Sequence, residues 1–102
     1  MPAVAVCDVD QIATGHACDG VAKIKAKGDN RVTIGGKPVA VVGDLIEPHT
    51  IKAGDACVPH NDAFITAGSS KVFIGGIAVA RIGDAADAGV IISGSSNVYA
   101  GG

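Results

Sequence analysis

"GDNRVTIGGKPVAVVGD", residues 28–44, and "GSSKVFIGGIAVARIGD", residues 68–84, are two copies of one unit set 40 residues apart, identical at nine of 17 positions. The shared residues include Gly35-Gly36 and Gly75-Gly76, Val39-Ala40 and Val79-Ala80, and the closing Gly43-Asp44 and Gly83-Asp84. Ahead of each Gly-Gly pair stands a short run rich in β-branched and aromatic residues, "RVTI" or "KVFI". Such runs favour strands, and Gly-Gly supplies the positive φ of a tight two-residue hairpin turn. "PVAVV" and "AVARI" then return as second strands. Each unit therefore predicts a β-hairpin.

The ends of the chain extend the pattern. "GSSNVYAGG" (94–102) matches the first nine residues of the unit, and "PAVAVCD" (2–8) matches "PVAVVGD" (38–44). Tail and head together make a third copy, split by the termini. Three units arranged cyclically, with the first strand beside the last, predict an all-β, pseudo-threefold cone of short antiparallel strands and hairpins. Alanines dominate one set of positions on the return strands, and small side chains allow the close approach that a tapering body needs. No window of 11 or more residues carries a helical stripe. Asp8, Asp44 and Asp84 recur with the unit, which favours a turn role over chemistry.

Composition narrows the function classes. At 102 residues the chain predicts a single domain spanning 1–102. The aromatics are Phe64, Phe73 and Tyr99 only, so the core of Val, Ile and Ala is thin, and a staple such as a metal would reinforce it. The fifteen glycines follow no Gly-X-Y period, which excludes collagen. A net charge of −2 leaves no basic footprint for nucleic acid. No apolar run approaches the roughly 18 residues that cross a bilayer. "MPAVAVCDVD" lacks the basic flank of a signal peptide. Synthesis in the cytosol follows, where three cysteines, an odd number, argue against a disulfide framework and for metal ligation.

Every histidine falls in a connector between repeated hairpins. Residues 9–27 carry His16 and Cys18, residues 45–67 carry His49, Cys57 and His60, and residues 85–93 carry neither residue type. In a pseudo-threefold body the connectors leave equivalent points, so their tips converge at one end. Cys57 and His60 have a C-x₂-H spacing with Pro59 between them. Three imidazoles and one thiolate form a closed tetrahedral zinc set, and soft donors without a carboxylate disfavour calcium and magnesium. The sulfur comes from Cys57 or from Cys18, which lies two residues from His16. Cys7 stands where the unit has glycine and either packs or sits exposed.

With "KPVAVVGD" and "IAVARIGD" each behind a Gly-Gly turn and a "GSxxV"-like strand, the chain resembles PAAR-repeat proteins over nearly its whole length. Pro38-Val39-Ala40-Val41 and Ala78-Val79-Ala80-Arg81 stand where the signature Pro-Ala-Ala-Arg would be. The resemblance implies a conical tip on the trimeric β-helical central spike of a contractile injection machine, either a type VI secretion system or a contractile phage tail. It implies one copy per spike trimer and an apex ordered by one zinc ion. It further implies synthesis in the cytoplasm, delivery out of the cell on firing, transient contact with a target membrane, and effectors as further partners. Carried over by position, the metal ligands are His16, His49 and His60. Many relatives place the cysteine in a "GDxxxCG" context, where this chain has "GDAADAG" and the aligned residue is Ala88. Cys57 is therefore the choice for the fourth ligand, with Cys18 the alternative. The last half-repeat ends at Gly102, and the expectation is a tip protein without a fused effector.

The rival classes are a small zinc hydrolase and a free-standing zinc-binding β module. The connector acids Glu47, Asp55 and Asp62 lie in no recognised catalytic frame, and a Cys57–His60 nucleophilic dyad lacks an orienting third residue. The expectation is a structural protein, not an enzyme.

Overall fold

Both full repeats fold as their Gly-Gly pairs demand. In the computed structural model, which describes residues 2–15, 18, 20–27, 32–60 and 63–101, β3 (Thr33–Ile34) pairs antiparallel with β4 (Lys37–Pro38). Likewise β8 (Phe73–Ile74) pairs with β9 (Ile77–Ala78). The turn residues Gly35, Gly36, Gly75 and Gly76 have φ of 61°, 83°, 57° and 81°, the left-handed pair that a type I′ turn requires. Tail and head build the third hairpin: Ala3 bridges Tyr99, and Ala100 N donates to Pro2 O at 3.1 Å. One bond recurs in all three units, from Val4 N to Val98 O, Val39 N to Val32 O, and Val79 N to Val72 O (2.9, 2.9 and 3.0 Å).

The three return strands close on one another. Ala40 N donates to Ala5 O, Ala80 N to Ala40 O, and Ala5 N to Ala80 O, at 2.9, 2.9 and 3.0 Å. A second cycle runs from Cys7 N to Pro38 O, Val42 N to Ala78 O, and Ile82 N to Ala3 O. Closure leaves none of these strands with an open edge toward its neighbours. Ala5, Ala40 and Ala80 are fully buried at the centre of the ring, as the run of alanines predicts.

The register of the head differs from the sequence match by one residue. The bridges Val6↔Val39, Val41↔Val79 and Val4↔Arg81 make Val4 the equivalent of Val39 and Val79, and Ala5 the equivalent of Ala40 and Ala80. Aligning Pro2 with Pro38 would instead bring Val4 to the centre. A one-residue slip turns every side chain to the other face, and the crowded centre selects the alanine. Asp8, not Cys7, therefore takes the place of Gly43 and Gly83, with φ of 64° against 92° and 88°. Aspartate is one of the few side chains that tolerates this region. The capping role of Asp44 and Asp84 passes to Asp10: Val6 N, Val41 N and Arg81 N donate to Asp10, Asp44 and Asp84 carboxylates at 2.7, 2.9 and 2.8 Å. The turn role expected of the recurring aspartates holds, but Asp8 is not one of the caps. Cys7 packs, fully buried, with its Sγ 3.4 Å from Asp44 Oδ2.

Beyond the ring the strands form a closed barrel. Its sheet runs β10 (Ala85–Ala86), β11 (Gly89–Ile91), β1 (Gln11–Ala13), β2 (Val21–Lys25), β5 (Leu45–Ile46). Residues 64–65 bridge both edges through Leu45↔Phe64 and Ile65↔Ala86. The inward-pointing residues include three pairs: Ile12↔Ile91, Ile24↔Ile46 and Ile65↔Ala86. All six are at most 2 % exposed. The pairs are again equivalent by threefold symmetry, since Asp8 N, Gly43 N and Gly83 N donate to Ile24, Ile65 and Ile91 carbonyls. Burial of such aliphatics stabilises by about 1.5–3 kcal/mol each against leaving them in water.

Arg81 breaks the symmetry of the ring, standing where the other units have Val6 and Val41. Its guanidinium holds Asp84 through Nε and Nη2 at 2.9 and 3.0 Å, and donates from Nη1 to the carbonyls of Ala100 and Gly101 at 3.4 and 3.0 Å. The hydrogen bond to Asp84 raises the arginine pKa, against the desolvation of burial, so the group stays charged. Ser69 Oγ also donates to Gly101 O. These bonds tie the tail, which has no covalent turn to the head, to the second unit. The body measures 42 × 25 × 22 Å, with the hairpins at one end and the connectors between barrel strands at the other.

Candidate metal centre and base surface

The second connector is itself a hairpin. β6 (His49–Ala53) pairs with β7 (Ala56–His60) across Gly54-Asp55, and the register sets His49 opposite His60. Directly paired residues share a face, so both imidazoles emerge together, with ring centroids 5.0 Å apart at 72°. The third connector is a tight turn, Asp87-Ala88, between β10 and β11. Asp87 has φ of 53°, and its backbone N donates to Phe64 O at 3.1 Å. The turn is pressed against the first connector's root: a Cβ on Gly89 would lie 1.8 Å from Ala13 O, so no larger residue fits.

This packing aims the Asp87 carboxylate at the histidine pair. Oδ2 lies 2.8 Å from His49 Nε2 and Oδ1 lies 3.2 Å from His60 Nε2. The His49 and Asp87 side chains are 2 % and 8 % exposed, and that of His60 24 %. On its far side His49 Nδ1 is 2.9 Å from the Glu47 carbonyl. A carbonyl only accepts, so Nδ1 carries a proton, the second contact that typically fixes a metal-binding imidazole. A neutral His49 then turns the Nε2 lone pair toward a carboxylate oxygen, which is repulsive. The contact is favourable when a cation is shared, either a proton that makes the imidazolium or a metal ion. Two borderline nitrogens and one carboxylate oxygen form a donor set that zinc accepts. Among the described residues it is the one group of three or more such donors with atoms within 4.8 Å of one another.

Of the residues expected from sequence, His49 and His60 lie side by side. His16 lies outside the described residues. Cys57 does not join them. It sits on an extended strand three positions from His60, and alternation along a strand sends positions three apart to opposite faces. Its sulfur is bonded to Cys18, with Cα atoms 6.0 Å apart. The expectation of reduced thiols is thus not met for this pair, and neither sulfur is a thiolate donor in this form. The Cys57–His60 dyad is excluded for the same reasons. Cys7 is the free cysteine. Asp87 escapes a reading of the connectors confined to His and Cys. Its one signal in the sequence is an acid in the third connector, next to Ala88.

At the opposite end the three hairpins enclose an apolar groove of about 470 Å³. Its lining repeats three times: Val32, Ile34 and Val39; Val72, Ile74 and Val79; Val98, Ala100 and Val4. Phe73 and Tyr99 stand at its margin, 54 % and 52 % exposed.

The PAAR motif family profile matches residues 14–89, most of the chain. No curated protein sequence matches the chain closely enough to count as a relative. No helix among the described residues is long and apolar enough to cross a membrane.

Proposed function

Because the chain belongs to the PAAR-motif family, found at the spike tips of type VI secretion systems, we propose that it caps the trimeric central spike of a contractile injection machine, one copy per trimer. The family is a structural one that sits on spike proteins, not an enzyme family. The observation that carries the reading is the base: three equivalent hairpins around an apolar groove, on a body whose backbone bonds close in a threefold cycle. A partner with a true threefold axis meets three like surfaces at once. Contacts made three times over hold a small cap without a large area per contact, and the hairpin strands offer backbone pairing to the partner's own strands.

We assign the connector end to a zinc ion that orders the point. His49, His60 and Asp87 hold it, with His16 as the further ligand. Cys57 stays outside this set, on the opposite face of β7 and bonded to Cys18. The Glu47 carbonyl and the barrel beneath Asp87 fix the donors before metal arrives, and the ion replaces the proton that the carboxylate–imidazole contacts otherwise need. The tip then works mechanically, by concentrating contractile force on a small area of membrane, and needs no bond-breaking chemistry.

Native mass spectrometry of the chain mixed with its cognate spike tests the docking. One copy per trimer is expected; three copies, or none, would sink it. Elemental analysis of the purified chain tests the metal, with about one zinc per chain expected for a single site.

A further inference from the structure

The β6–β7 hairpin has two separate tethers. At its root, His49 and His60 meet Asp87 on one face. Farther out, on the other face, Cys57 is bonded to Cys18 of the first connector. Beyond its root the hairpin is little packed: residues 52–59 are all exposed. An element with so few buried contacts is held by its ties rather than by its core. We propose that Cys18–Cys57 is a reversible thiol–disulfide site that clamps the second connector to the first, independently of metal. Cys57 is exposed and Cys18 half-buried, so a small thiol reaches the bond, whereas Cys7 is fully buried and stays out of the exchange.

The exchange partner is a low-molecular-weight thiol–disulfide couple. Starting from the dithiol, one cysteine thiolate attacks the small disulfide, forms a mixed disulfide and releases one small thiolate. The second cysteine thiolate then attacks the protein sulfur of that mixed disulfide and expels the second small thiolate. The two protein thiol protons pass to the released thiolates. Two protein thiols are oxidised and one small disulfide is reduced, and excess small thiol reverses both steps. A reducing cytosol keeps the pair open, and an oxidising compartment closes it.

The closed bond joins positions 39 residues apart. Removing that much chain freedom from the unfolded state raises the melting temperature by on the order of 10 °C. The experiment equilibrates the full chain in reduced and oxidised glutathione with a chelator present, so its outcome does not depend on whether a metal binds. Alkylation and mass spectrometry then read the three cysteines, and hydrogen exchange reads the amides. Cys18 and Cys57 should change state together while Cys7 does not. Oxidation should slow exchange across residues 49–60 and leave Ala5, Ala40 and Ala80 unchanged, and the separate variants Cys18→Ser and Cys57→Ser should both behave as the reduced chain does. Failure of oxidised glutathione to link the pair would overturn the proposal, as would equal hairpin protection in both states.

Discussion

The two ends of this molecule treat the same threefold plan in opposite ways. At the base, three hairpins repeat nearly residue for residue, and even the unit cut by the termini keeps the recurring bond from Val4 to Val98. At the other end the three connectors differ in length and kind: residues 14–20, a full hairpin, and a two-residue turn. The base is constrained by its centre, where three backbones approach within hydrogen-bonding distance around three fully buried alanines. The connectors leave the barrel and meet no such limit. The candidate metal site draws on that inequality. Symmetry would supply three identical donors, whereas here one connector brings two imidazoles and another brings a carboxylate.

Substitutions separate the two ends. The largest effect is expected for Arg81→Met, which strips Asp84 of a partner in a nearly buried pair and frees Ala100 and Gly101. A loss of roughly 3–5 kcal/mol in urea unfolding is expected, and an unchanged midpoint would show that the split unit needs no clamp. Next comes Ala80→Leu, which drives a branched side chain into the centre of the ring. It should cost about 3 kcal/mol, while Val58→Leu on the exposed connector hairpin should stay within about 0.5 kcal/mol. Equal costs would erase the contrast between the ends. Asp87→Ala should weaken zinc binding at least about 100-fold in competition titrations, since even outer-shell partners are worth 10- to 100-fold. The base should keep its spike affinity, and unchanged zinc affinity would remove Asp87 from the donor set. The smallest effect is expected for a permuted chain opened between Gly35 and Gly36 and joined by a Gly-Gly turn between the tail and Pro2. Its stability should lie within about 1 kcal/mol of the parent, because the hairpin it joins already has native pairing; a larger loss would mean the three units are not interchangeable.

The base could be read from the residues because its constraints are local. Gly-Gly fixes a turn, alternating β-branched residues fix the strands, and the alanines mark the axis. The head's register could not be read this way. Val9 is an extra residue before the cap, and only the crowding at Ala5 shows which alignment wins. At the connectors, the convergence of ends follows from the repeat and shows in Asp87 of the third meeting His49 and His60 of the second, whereas those two histidines are joined by the register of one hairpin. In "ACVPH" the C-x₂-H spacing by itself suggests two side chains that can reach one ion. As strand β7 the same spacing separates them, and the hairpin partner His49, eleven residues away, becomes the true neighbour of His60. Asp87 depends on the close seating of Gly89 on Ala13, a contact that no local pattern announces.

The hairpins agree in backbone but not in what they display. Equivalent positions carry Thr33, Phe73 and Tyr99, all exposed. On a partner with three identical faces such a chain has three seatings, each a third of a turn from the next. The shared backbone makes all three geometrically allowed, and a hydroxyl, a phenyl ring and a phenol decide nothing when every facing surface is the same. On the proposed trimeric spike the cap would be a three-way key in a lock with no preferred notch, and its asymmetric point would take any of three equal orientations around the axis.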